Sequence, residues 1–226
     1  MSVSVAPAEA PRVTRAWSDI VGFLSCIGLA AFTVIRSPDV VLLLAPVLLY
    51  ELALALSFLT RGRAVRVNTG WGQRIAAYGG SYLMALALPL ITELEPRWIA
   101  PTDVPALLSA GVVLRSLGFA LCAWGIWHLR RSFSVIPAAR TLVTGGAYAF
   151  FRHPLYVGYA ATFVGGLLQR PTLVYAALVA VWLWLTYRRI RYEESVLEAA
   201  FPEYAEYRQR VGLLAPRFQR TRSRPA

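Results

Sequence analysis

Long apolar runs punctuate this chain, and no soluble fold has a use for so many of them. Crossing roughly 30 Å of hydrocarbon takes about 20 helical residues, and runs approaching that length recur from Ile20 onwards with no domain-sized polar stretch between them. A segment in lipid must satisfy its own backbone donors and acceptors, so the runs read as helices and not as open strands. Hydrophobic residues make up 57% of the 226, as expected if the solvent is a membrane. The pattern predicts helices over 17–36, 39–59, 73–92 and 104–128, a polar segment over 129–153, and a hairpin of two helices over 155–169 and 171–192. The expected class is an all-α integral membrane protein with five to six transmembrane helices, including the C-terminal hairpin, and a polar region at the cytoplasmic face.

The run from Leu155 to Gln169 would extend only about 22 Å, which suits a re-entrant or steeply tilted helix. Its partner stays apolar to Tyr187 and then turns abruptly into Arg188, Arg189, Arg191, Glu193 and Glu194, so it is expected to leave the bilayer without ending. Beyond it, Leu197, Phe201, Tyr204 and Val211 fall near helical spacing, the pattern of a short helix lying on the cytoplasmic surface. Residues 219–226 read as a basic disordered tail. No internal repeat is found. The chain thus divides into N-terminal transmembrane helices (1–128), a C-terminal region (129–218) and the tail (219–226).

Charge sets the orientation. The net charge of +11 comes wholly from arginine, since the sequence has no lysine. Arg61, Arg63, Arg66 and Arg74 crowd the segment between the second and third spans, whereas Glu93, Glu95 and Asp103, with only Arg97, occupy the next. This alternation puts both termini in the cytoplasm and is the positive-inside pattern, not a nucleic-acid footprint. Arginine-only basic usage suggests a GC-rich source and a bacterial inner membrane. Arg12 and Arg15 ahead of Ile20–Ile35 resemble the front of a signal peptide, but the spans behind favour a retained first helix. Cys26 and Cys122 lie inside apolar runs and offer neither a disulfide framework nor metal-ligand spacing, so they are expected to be small packing residues and no metal site is expected.

The densest polar grouping runs from Arg140 through Thr141, Leu142, Val143, Thr144, Gly145 and Gly146 to Tyr148. It continues with Phe151, Arg152, His153, Pro154, Leu155 and Tyr156, and resumes at Arg189 and Glu193. The glycines permit close approach of backbone to a ligand, Pro154 suits the first turn of a helix, and donors at that helix start can face a carboxylate. A structural turn leading into a proline-started helix fits the same residues. Arg189 and Glu193 are four apart and share a helix face, so they can meet each other or a common ligand. Glu194 points about 100° away and is expected at the surface.

The combination RTLVTGGAY, FRHPLYVGY and RRIRYEESVLEAAFPEYAEYRQRV resembles the isoprenylcysteine carboxyl methyltransferase family and its bacterial relatives, from about Ser132 to Pro216. The resemblance implies a cytoplasmic site for S-adenosyl-L-methionine, with Arg140, Thr141, Leu142, Val143, Tyr148, His153, Pro154, Tyr156 and Glu193 as cofactor residues. It implies that Arg189 faces the substrate and is the catalytic residue, and that the partner is a lipophilic or lipid methyl acceptor drawn from the membrane, with no nucleic acid involved. Arg140 stands where eukaryotic members carry histidine, and Phe133–Ala139 is shorter than its counterpart there. Oligomeric state and the acceptor's identity are not written in these motifs.

The chemistry suits these residues. Methyl transfer needs an in-line nucleophile near a sulfonium, which positioning and electrostatics accelerate without a metal. A carboxylate nucleophile is already ionised at neutral pH, and Arg189 would hold it through charge-assisted hydrogen bonds. An amine lipid or small thiol would need a proton removed, for which only His153 and Glu193 offer themselves. A membrane reductase using a nicotinamide cofactor, or a non-catalytic membrane protein whose arginines contact anionic lipid, are the other classes open. Glu51 and Arg115 are the charges placed deepest in apolar runs. Both spans run inward from the outer face, which brings the two to nearly equal depth, so a salt bridge or shared polar network between them is expected, against separate neutralisation or snorkelling to water, with a polar floor to the acceptor's cavity as the functional alternative.

Overall fold

The computed structural model describes residues 13–36, 44–60, 64–67 and 70–215. Seven α-helices follow in order: α1 (Val13–Arg36), α2 (Ala45–Thr60), α3 (Trp71–Leu94), α4 (Pro105–Leu129), α5 (Pro154–Gln169), α6 (Leu173–Ala200) and α7 (Tyr204–Arg210). Three of them, α3, α4 and α6, are long and apolar enough to cross a membrane, while α1 and α2 carry shorter apolar stretches, Ile20–Ile35 and Ala45–Thr60. Large apolar side chains such as Leu86, Leu90, Leu117, Trp127 and Trp184 lie exposed on the outside of the bundle. Exposure on that scale fits a bundle whose solvent is hydrocarbon. The all-α membrane class expected from the sequence stands, and the tail at 219–226 lies outside the described residues.

Glycines set the closest packing. On α4, Gly111 and Gly118 recur at a seven-residue interval, as do Gly158 and Gly165 on α5. A methyl group on Gly111 would come within 2.6 Å of the Gly165 carbonyl oxygen, and one on Gly118 within 2.5 Å of that of Gly158. The antiparallel helices therefore touch backbone to backbone, which gains van der Waals contact where lipid supplies no hydrophobic drive. The expected hairpin of α5 with α6 is secondary to this α4–α5 pair. On α3, the small residues Ala76, Ala77, Gly79 and Gly80 take α6, and Trp182 Nε1 donates to the Gly80 carbonyl at 2.9 Å.

Two buried clusters flank the interior. Cys26, Tyr50, Phe58, Cys122 and Ile126 join α1, α2 and α4, which bears out a packing environment for both cysteines. Met84, Tyr175, Val179 and Trp182 join α3 and α6, with Tyr159 and Phe163 of α5 against them. α6 runs unbroken for 28 residues, about 42 Å, so it does continue past its apolar part. A two-stranded antiparallel ladder absent from the sequence reading, β1 (Arg66–Val67) with β2 (Ala138–Ala139), ties the loop after α2 to the polar segment after α4.

The amphipathic segment after α6 differs from expectation. Tyr204, Tyr207 and Val211 are buried, and Leu142, Leu197 and Phe201 pack against them. The apolar face of α7 thus closes over the polar loop and does not lie in a lipid interface. Arg152 N–H donates to the Gly212 carbonyl at 2.9 Å and fastens the end of this segment.

Candidate active site

The polar segment is folded by one glycine and one proline. Gly146 has φ 60, and a side chain there would collide with the His128 ring at 2.1 Å, so only glycine allows the turn Gly146–Ala149 to press on the end of α4. Pro154 starts α5 at its first turn, where its missing N–H costs nothing. Between them Tyr148 is buried, and Tyr207 of α7 donates its hydroxyl to the Tyr148 carbonyl at 2.7 Å.

Glu193 is the meeting point. Its Oε1 accepts from the Tyr156 hydroxyl at 2.6 Å and from Arg189 Nε at 2.9 Å, while its Oε2 lies 3.7 Å from His153 Nδ1. The His153 ring stacks on Tyr156 with centroids 5.6 Å apart, and the Arg189 guanidinium lies 5.5 Å from the centre of the Tyr156 ring. Arg189 is itself fully engaged. Nη1 donates to the Ala77 carbonyl at 3.2 Å and to Ser81 Oγ, and Nη2 donates to the carbonyls of Val135 at 2.8 Å and Ser134 at 3.4 Å. One side chain on α6 thereby holds α3 and the polar segment together.

Glu194 is a correction to the sequence reading. It is 6% exposed, pairs with Arg152, and accepts from the Tyr204 hydroxyl at 3.1 Å. His153 Nε2 lies 3.5 Å from the same oxygen. The 100° turn that removes it from Glu193's face aims it at α7, which the sequence reading had put elsewhere. Burial, before any other cause, raises the phenols of Tyr148, Tyr204 and Tyr207 above their ordinary range, so all three remain neutral donors.

These groups open on a cavity of about 520 Å³. Arg140, Thr141, Leu142, Val143, Tyr148, His153, Tyr156, Arg189 and Glu193 line it, and Pro154 alone of the anticipated residues does not. Thr141 is bonded through its hydroxyl to Ser132, which lines the same cavity. Arg152, Tyr204 and Tyr207 also line the cavity and were not anticipated; the i, i+3 spacing of the two tyrosines was the available signal. Deeper in, the walls turn apolar with Leu29, Phe32, Leu54, Met84 and Leu88. The described residues include no group of three or more histidine, cysteine or acidic side chains suited to hold a metal ion.

The model of the phospholipid methyltransferase family matches residues 107–204, the stretch from α4 to the start of α7. A protein-S-isoprenylcysteine O-methyltransferase of Tribolium castaneum is 41% identical over 78 residues, covering 33% of this chain and 27% of the relative. A probable enzyme of the same name from Oryza sativa subsp. indica is 30% identical over 125 residues, covering 54% and 64%. Over this C-terminal stretch the chain is similar to isoprenylcysteine O-methyltransferases. The cobalt-zinc-cadmium resistance protein CzcN of Cupriavidus metallidurans is 34% identical over 125 residues, 54% of each chain. The chain spans about half the length of such curated relatives. Among solved structures, the eukaryotic intramembrane Ras methyltransferase ICMT aligns at 20% identity and a TM-score of 0.45, over 92% of this chain and 87% of that one; nothing in the site rests on that alignment.

Proposed function

We propose that this protein is a membrane-embedded methyltransferase that uses S-adenosyl-L-methionine and methylates the carboxylate of a lipophilic, isoprenylcysteine-like acceptor. One observation carries the reading: a single cavity joins a carboxylate fixed among aromatic rings to an apolar chamber among the helices. The residues fit the cofactor. Its size matches a cavity of several hundred Å³, and a fixed carboxylate beside the rings of Tyr156 and Tyr148 suits a cation. Arg140, Thr141, Leu142, Val143, Tyr148, His153, Tyr156 and Glu193 would hold it, with Pro154 setting the helix start. When bound, S-adenosyl-L-methionine supplies a methyl group on cationic sulfur.

The rest of the chemistry belongs to the chain. Tyr156 and Arg189 fix the Glu193 carboxylate, so its charge needs no reorganisation during reaction. Arg189 is proposed as the catalytic, acceptor-facing residue. Its longest contact, to the Ser134 carbonyl at 3.4 Å, is the one an acceptor carboxylate would replace. The apolar walls exclude water and admit a hydrocarbon tail, which would enter sideways from the bilayer while the cofactor arrives from the cytoplasm. Both termini would then be cytoplasmic, in a bacterial inner membrane, with residues 129–218 as the methyltransferase region.

An amine acceptor is the second reading, favoured by the phospholipid methyltransferase match and by the full engagement of Arg189. The two separate when purified protein in lipid is incubated with labelled S-adenosyl-L-methionine and candidate acceptors. A base-labile methyl product supports the ester, and a base-stable product rejects it.

A further inference from the structure

Glu51 is the single charged residue of α2, and it is 6% exposed. A charge in mid-helix is costly in a bilayer and is kept where it has a partner or a task. The partner expected from sequence is not there. Arg115 instead donates through Nη1 to Gln169 Oε1 at 2.8 Å, with its side chain lying along Gly165. Among the described residues Glu51 forms no salt bridge. The polar group facing its carboxyl is the Cys26 thiol of α1, a weak donor.

The surroundings hold Glu51 in place without consuming it. Its neighbour Tyr50 is bonded hydroxyl to hydroxyl with Tyr159, and Tyr159 packs edge-on to Trp182, which fixes the rotation of α2 against α5 and α6. Glu51, Cys26, Tyr50 and Tyr159 all line the cavity that also contains Arg189 and Glu193. A carboxyl group with spare acceptor capacity thus faces the chamber assigned to the acceptor's apolar part.

We propose that Glu51 is an acceptor-binding residue that receives the N–H groups of a protonated amine, so that the acceptor is an amine-bearing lipophile and not a plain hydrocarbon chain ending in one polar group. This rests on the methyltransferase reading for what the cavity takes. It also goes beyond that reading, because a cationic amine is selected by the N-terminal half of the chain. A carboxylate in low dielectric pairs strongly with an ammonium that brings three donors, whereas an alcohol of equal length offers one neutral donor.

The test uses the full-length protein in phosphatidylcholine nanodiscs, with empty nanodiscs subtracted. Binding of labelled dodecylamine and labelled dodecanol is measured on wild type and Glu51→Gln, and labelled S-adenosyl-L-methionine is measured in parallel. Wild type is expected to prefer the amine by about tenfold or more, the scale of one charge-assisted hydrogen bond, and Glu51→Gln to lose that preference while still binding the cofactor. Equal binding of the two probes by wild type overturns the proposal, even where the variant does not fold. A preference that survives in Glu51→Gln also overturns it. Wild type that neither prefers the amine nor binds S-adenosyl-L-methionine would strike at both readings, whereas wild type that binds the cofactor without preferring the amine would strike at this one alone.

Discussion

Replacing Glu194 by glutamine removes the carboxylate that Arg152 pairs with while keeping the side chain's shape. Both side chains are more than nine-tenths buried, at 7% and 8% exposure; the contact is made through Arg152 Nη1, and Arg152 Nε has no hydrogen-bond partner. The variant therefore leaves a buried guanidinium charge without its counter-charge, a loss of about 3–5 kcal/mol. For a chain of this size about 2–4 °C accompanies each kcal/mol, so the melting temperature should fall by roughly 6–20 °C. Glu198→Gln is the matched control, because its pair with Arg208 is about half exposed and worth no more than about 1 kcal/mol. The double replacement Arg152→Met with Glu194→Leu should cost less than Glu194→Gln alone, since it leaves no charge behind. Melting is followed by tryptophan fluorescence in detergent. A Glu194→Gln shift no larger than that of Glu198→Gln, or a double replacement as harmful as the sum of its parts, would refute the buried pair.

Gly146→Ala should weaken or abolish binding of labelled S-adenosyl-L-methionine, because φ 60 and the His128 ring both oppose a side chain. Gly145→Ala, with nothing within 4 Å, should leave it unchanged. Gly118→Ala should destabilise by about 1–3 kcal/mol or more through overpacking against α5, read as a lower melting temperature, whereas Gly28→Ala meets open space and should not. Tyr204, whose phenol burial raises, contributes stability that is fully present below about pH 10 and is lost as pH rises further. An alkaline melting series should therefore lose less stability above that pH in Tyr204→Phe than in wild type.

What the sequence made legible follows from physics that acts locally. A span in lipid must be apolar and helical along its own length, so α3, α4 and α6 were evident, as was the continuation of α6 past Tyr187. The Arg189–Glu193 contact is likewise set by helix geometry, four residues apart on one element. Arg152 and Glu194 are 42 residues apart, and neither announces the other until α7 has folded back over the loop. The Glu51–Arg115 expectation failed because rise per residue fixes depth but not rotation about the helix axis. Arg115 also has a long stem, which reaches Gln169 across the space that Gly165 leaves open. The seven-residue glycine intervals of α4 and α5 stood in the sequence, but only the pairing of these two helices gives them meaning. The apolar face of α7 was legible as a face and misread as to its cover, since lipid and a protein loop ask for the same residues.

The central claim is that Glu193 anchors a cofactor site, and equilibrium binding of labelled S-adenosyl-L-methionine to the purified protein and its Glu193→Gln variant tests it most directly. Saturable binding by wild type that weakens about tenfold or more in the variant, the scale of one lost charge-assisted contact, is the predicted result. No saturable binding by wild type, or equal affinity in a folded Glu193→Gln variant, would contradict it.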